Sequence, residues 1–140
     1  MFRFYKKIFS LSKGEIIYIF FALNFKVFYF ILFNSFGYKK ILKISSKLIS
    51  KNKFFENIDP RRAFKINKIL RDFPLKSTCL QVSLCDKIML SYIGINVDIN
   101  AGLKINNESM EGHAWLTYKG NLIYDSKEEI SSYKFTHRIE

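Results

Sequence analysis

The spacing of apolar residues along this chain changes from helical to alternating two-thirds of the way through. The run 16–33 (IIYIFFALNFKVFYFILF) is apolar on nearly every side, broken chiefly by Asn24 and Lys26. It predicts a helix over about 15–36, ended by Gly37. Residues 38–51 place Ile41, Ile44 and Leu48 at helical spacing, with Leu42 and Ile49 beside them. Lys39, Lys43 and Lys47 take another face, so a second, amphipathic helix follows. Residues 52–58 read as a connection. Asp59-Pro60 then has the form of an N-cap with proline in the first turn, opening a helix through Ala63, Ile66, Ile69 and Leu70. Pro74 forbids its continuation. Thr78-Cys79-Leu80-Gln81 has capping-box form. The helix it opens runs through Leu84, Ile88 and Ile93, widened by Val82, Met89 and Leu90, to a stop at Gly94. Apolar residues nearly all round make it central and buried.

From Ile95 the period becomes two. Ile95, Val97, Ile99, Ala101 and Leu103 face one side of a half-buried strand over 95–104; Asn96, Asp98, Asn100, Gly102 and Lys104 face the other. Residues 105–112 read as a loop. His113–Tyr118 and Asn121–Asp125 read as two strands around Lys119-Gly120. The stretch from Glu128 to Glu140 reads as a polar, frayed terminus, with His137 on the surface. The expected class is α+β: a helical region over 1–58, then a core over 59–140 in which a central helix packs on an antiparallel sheet of at least three strands. A core of that size is small, so the N-terminal helices or a partner must complete it.

Composition sharpens this picture. The chain has 140 residues, 49% of them apolar, with 15 Phe, 8 Tyr, 2 Pro and 6 Gly, which argues for one packed unit and against long disorder. The net charge of +11 is uneven: residues 1–76 hold 17 Lys and Arg against 4 acids, and residues 77–140 hold 6 against 8. A basic half suits an acidic peptide or an anionic membrane surface. It also suits nothing more than a lysine-rich codon bias. No Arg-rich or aromatic-interleaved motif points to nucleic acid. The 18 residues of 16–33 reach only the lower limit for a membrane span. A central lysine costs about 2.5–3.5 kcal/mol on insertion. No small-residue cleavage site follows, so a signal peptide is not expected. The run reads as a helix that is buried, docked on a partner, or in peripheral contact with a membrane.

Cys79 and Cys85 lie six positions apart, roughly 9 Å along a helix axis and beyond the reach of a disulfide. A reduced, cytoplasmic setting follows most simply. With 2 Cys and 2 His no zinc-type spacing exists, and no metal or cofactor is expected.

The candidate chemistry is a thiol acyl-transfer site built from Cys79, His113 and Asp125. Cysteine attacks as the thiolate, and a helix N-terminus favours negative charge. Cys79 is expected there, whereas Cys85 lies in the helix interior as a small apolar residue. If the hairpin closes through a three-residue loop, Tyr118-Lys119-Gly120, then Trp115 opposes Ile123 and His113 opposes Asp125, within hydrogen-bond reach. A two-residue loop would put His113 and Asp125 on opposite faces and sink the proposed triad. Trp115 shares the His113 side and either shields the pair, as a candidate substrate contact, or packs the core. The backbone N–H of Cys79 is a candidate oxyanion donor; no side-chain donor is identifiable, because Gln81 is explained by the capping box. His137 is an alternative base.

Ser77-Thr78-Cys79-Leu80, the apolar helix to Gly94, and Gly112-His113-Ala114-Trp115-Leu116 with Lys119-Gly120 and Asp125 resemble the lasso peptide biosynthesis B2 proteins, over roughly residues 60–125. The resemblance implies a transglutaminase-like (papain-like) cysteine peptidase with the triad Cys79, His113 and Asp125. It further implies removal of the leader from a ribosomally made precursor peptide. The leader would be held by a separate B1-type recognition protein, and the freed core passed to an ATP-dependent cyclase. The pattern departs from the family in its Asn, Lys and Phe enrichment, which leaves the triad untouched. Two other expectations stand beside it: a transglutaminase- or amidase-like transfer on the same triad, and a non-catalytic, membrane-associated interaction protein built on residues 16–33.

Overall fold

The computed structural model describes residues 11–51, 53–55, 58–71, 77–106 and 109–139. Pro74, the expected helix stop, lies outside them. Helix α1 spans Lys13–Ser35 and opens with a capping box in which Ser12 and Glu15 satisfy each other's backbone N–H groups. Helix α2 spans Tyr38–Leu48. Gly37, expected to terminate α1, has φ −65° and serves instead as the N-cap of α2, so its freedom to adopt positive φ is not used. Helix α3, Pro60–Ile69, starts as expected: Asp59 accepts from the N–H groups of Arg61 and Arg62, and Pro60 takes the first turn, where a missing N–H costs nothing.

Helix α4, Cys79–Ser91, is the centre of the molecule. Thr78 and Gln81 close its capping box, and Gly94 at φ +79° ends the turn that follows. Its partners are four antiparallel strands in the order β3-β2-β1-β4: β1 Asp98–Asn106, β2 Ser109–Tyr118, β3 Asn121–Leu122 and β4 Lys134–Ile139. A short helix, α5 Lys127–Ser131, joins β3 to β4.

One apolar cluster runs through both halves of the chain. Tyr18, Ala22 and Tyr29 of α1, Ile41 of α2 and Ala63 of α3 join Leu84, Ile88 and Leu90 of α4 and Ile99 and Leu116 of the sheet. The N-terminal helices thus supply the missing core. Polar contacts fix α1 in place: Glu15 with Arg62 at 2.5 Å, Tyr18 donating to Asn67 at 3.1 Å, Lys26 donating to the Leu70 carbonyl, and Tyr29 with Ser45 at 2.6 Å.

Four expectations about the sheet are corrected. The stretch 105–112 is mostly strand, because β1 and β2 remain paired out to Asn106 and Ser109. Polarity there reflects exposure, and Ile105 and Met110 are exposed as well. The terminal stretch is ordered as α5 and β4, with β4 pairing β1. The turn after β2 has two residues, since Tyr118 pairs Asn121, with Lys119 at φ 51° and Gly120 at φ 77°. Both central residues are left-handed, as in a type I′ hairpin. The expected three-residue loop is therefore wrong, and the expected strand 121–125 stops at Leu122.

Candidate active site

Cys79 is the first residue of α4, where the backbone N–H groups lack intrahelical acceptors. It is partly exposed and free. Cys85 is free and buried; burial and the neighbouring carboxylate of Asp86 push its thiol well above the ordinary range. The two cysteines therefore differ in environment as the helix predicted.

His113 and Asp125 do meet. His113 Nε2 lies 2.9 Å from Asp125 Oδ1, with side chains 21% and 10% exposed. They meet by a different route from the one expected. A continued two-residue hairpin would set Asp125 opposite Ala114, on the wrong face. Instead Ile123 makes one last ladder bond, to the Leu116 carbonyl at 3.2 Å, and the chain bends over 123–125. Tyr124 turns inward, with the Arg71 guanidinium 5.8 Å from its ring centroid and its hydroxyl buried near Asp86 and Asn67. Asp125 is thereby turned towards His113, and Ser126 at once caps α5 through a capping box with Glu129. With Nε2–H donating to Asp125, Nδ1 is the ring nitrogen left to accept a proton.

Cys79 and His113 line one groove of about 420 Å³, floored by Ala101, Gly102, Leu103 and Ala114 and edged by His137 and Ile139. No hydrogen bond joins the thiol to the ring among the described residues. An open nucleophile–base pair is common before substrate binds. His137, placed opposite Ala101 by β4, is exposed as expected but edges the same groove.

Two groups were missed in the sequence. Tyr133 brings its ring to 5.3 Å from that of His113 and 6.2 Å from that of Trp115, and its hydroxyl donates to Glu111 at 3.0 Å. Desolvation, then that carboxylate, then the nearby Cys79 and Asp125 raise the phenol's pKa. Trp115 in turn stacks on His113 at 6.1 Å and is buried. The imidazole thus lies in an aromatic cage open towards the groove. Gly102 makes room for it: a Cβ there would sit 3.0 Å from Tyr133 Cβ and 3.1 Å from Trp115 Cη2. The alternation of Phe135, His137 and Ile139 was the available signal for the strand that follows Tyr133.

The second missed group is Asp86, fully buried in α4. Neither of its oxygens nor the Tyr124 hydroxyl meets hydrogen-bond geometry, although the two side chains face each other. Burial raises its carboxyl to about 7, against the opposing pull of Lys26 and Arg71. Its signal was an acid in the middle of a helix expected to be central and buried.

The arrangement brings a free cysteine at a helix N-terminus and an imidazole held by a carboxylate to one open groove. Such parts perform acyl transfer through a thioester. Among the described residues there is no cluster of His, Cys, Asp and Glu that would hold a metal ion. A family model described as the transglutaminase-like superfamily matches residues 60–137, from the start of α3 into β4, and includes Cys79, His113 and Asp125. No curated protein and no solved structure matches the chain.

Proposed function

The chain belongs to the transglutaminase-like superfamily of thiol proteases and acyl transferases, and we propose that within it this protein is the leader peptidase of a lasso-peptide pathway. The observation that carries the catalytic part is the His113–Asp125 hydrogen bond, facing the groove that Cys79 also lines. Motif likeness to the B2 proteins supports the substrate class: Ser77-Thr78-Cys79-Leu80, Gly112-His113-Ala114-Trp115 and the Lys119-Gly120 turn before Asp125.

In this reading the Cys79 thiol gives its proton to His113 Nδ1, and the sulfur attacks the carbonyl carbon of the scissile amide. The oxyanion is met by the Cys79 N–H at the head of α4. His113 then protonates the departing amine, which is the free α-amine of the core peptide, and a Cys79 thioester of the leader remains. Water, deprotonated by His113, attacks the thioester; the leader leaves as a carboxylate and the thiol is restored. Asp125 holds the ring in the tautomer that keeps Nδ1 free and stabilises the imidazolium.

The test is co-incubation of the protein with a precursor peptide and a leader-binding protein from the same gene neighbourhood, followed by mass spectrometry. Two fragments whose masses sum to the precursor plus one water support the proposal. A product in which an amine replaces water would assign amidation or transglutamination to the same residues. Unchanged precursor, or cleavage that survives Cys79→Ala, would overturn it.

A further inference from the structure

We propose that the outer face of α1 lies flat on an anionic membrane surface. The inward face of this helix is spoken for by its contacts to Arg62, Asn67, Leu70 and Ser45. Lys26 belongs to that inward set, so the charge that argued against lipid in the sequence points into the protein. The opposite face carries Ile16, Ile17, Phe20, Phe28 and Ile31, which are 52–72% exposed. Single exposed apolar side chains are ordinary, but an aligned stripe of five over more than four turns marks an interaction surface.

Two independent features select lipid as the occupant. The first is the treatment of polar side chains. Asn24 and Asn34 donate to the Phe20 and Phe30 carbonyls at 2.7 Å, and Ser35 donates to the Ile31 carbonyl at 2.8 Å. Each folds back on its own helix, four residues earlier, which satisfies a donor without water or a partner. The second is charge. Residues 16–55 contain seven lysines and no acid. Lys13 stands at one end of α1, and exposed Lys39 and Lys40 lie at the other, beside Ser35, Phe36 and Gly37. An apolar stripe bracketed by lysines is how a helix sits at a bilayer interface, with lysines at the level of anionic headgroups. The helix is long and apolar enough to cross a membrane by length and composition. Its polar contacts from Glu15 to Tyr29 rule out a spanning pose, because crossing would carry α2 and α3 into hydrocarbon.

The experiment is co-sedimentation of the full chain with vesicles of phosphatidylcholine alone or with one-third phosphatidylglycerol, at low and high salt. The protein is expected to pellet with the anionic vesicles at least tenfold more than with the neutral ones, and less at high salt. Phe20→Asp with Phe28→Asp abolishes pelleting, and Lys39→Glu with Lys40→Glu reduces it severalfold. Both variants keep the wild-type melting temperature within a few degrees, since all four side chains are exposed. Absence of pelleting with anionic vesicles, or pelleting unchanged by the Phe pair, overturns the proposal. So does a dimer in light scattering that the Phe pair dissociates, because the face would then be covered by a second copy.

Discussion

His113 and Asp125 are joined by a 2.9 Å hydrogen bond although the hairpin that separates them is in the wrong register to pair them. The bond depends on the bend after Leu122 and on Tyr124, which turns inward at that bend. Asp125→Asn is expected to keep the fold while allowing the imidazole to take the wrong tautomer. Turnover should fall by roughly 10²–10⁴-fold, with the melting temperature nearly unchanged. His113→Ala should cost at least as much, and His137→Ala little. If precursor cleavage is lost with His137→Ala and retained with His113→Ala, the roles of the two histidines are reversed.

Thiol labelling separates the two cysteines. In the native protein, iodoacetamide is expected to modify Cys79 and leave Cys85 untouched, because Cys85 is buried and its thiol is held protonated. Peptide mapping reads the result directly. Equal labelling in the folded protein, or labelling of Cys85 first, would remove the environmental distinction on which the nucleophile rests.

Asp86 should leave a mark on stability. Its carboxyl titrates near 7 in the folded protein against an ordinary value of 3.8, chiefly through burial. The native state therefore holds a proton that the unfolded chain has already released, so stability falls as pH rises from about 4 to about 7. Asp86→Asn should flatten that slope and gain most, relative to wild type, above pH 7. Urea midpoints at pH 4.5, 6 and 7.5 test this; parallel curves for the two proteins would sink it.

The turn offers a stabilising change. Lys119 holds φ 51° beside Gly120 at φ 77°, a conformation that lysine tolerates poorly and asparagine accepts. Lys119→Asn is expected to raise stability by about 0.5–1 kcal/mol, seen as a higher melting temperature with cleavage unaffected. A drop would mean that contact of Lys119 with the Tyr118 ring, at 5.3 Å, outweighs the backbone gain.

Gly102 tests the aromatic cage. A Cβ at this position meets backbone-proximal atoms of Tyr133 and the Trp115 ring at 3.0–3.1 Å. Gly102→Val should cost about 1–3 kcal/mol by overpacking and disturb the ring contacts that flank His113. Tryptophan fluorescence reports the displacement. An unchanged spectrum together with unchanged activity would show that Trp115 and Tyr133 only pack.

Much of this fold is written in short-range chemistry. Asp59-Pro60 and the Thr78–Gln81 box start their helices where the residue types require it, and Cys79 falls at the head of α4 for that reason alone. What could not be read depends on distant partners. Strand β4 exists because β1 offers an open edge, and residues 105–106 and 109–112 are strand despite their polarity because their backbone is paired. Asp125 is the clearest case. The chain closes through a two-residue type I′ loop at Lys119-Gly120, and by register that separates it from His113. A buried contact between Tyr124 and the interior of α4, invisible to any rule of spacing, brings it back.

The shared core has a practical consequence for anyone dissecting the chain. The stretch that matches the superfamily begins at residue 60, yet Tyr18 and Tyr29 sit in the same apolar cluster as the helix that bears Cys79. The boundary drawn by homology is therefore not a cleavage plane. A fragment trimmed to residues 60–140 would expose the flank of α4 on which Tyr18, Phe25 and Tyr29 rest, and it should emerge from expression as aggregate rather than as a minimal enzyme. The portable part of the family and the foldable part of this protein are different lengths of chain.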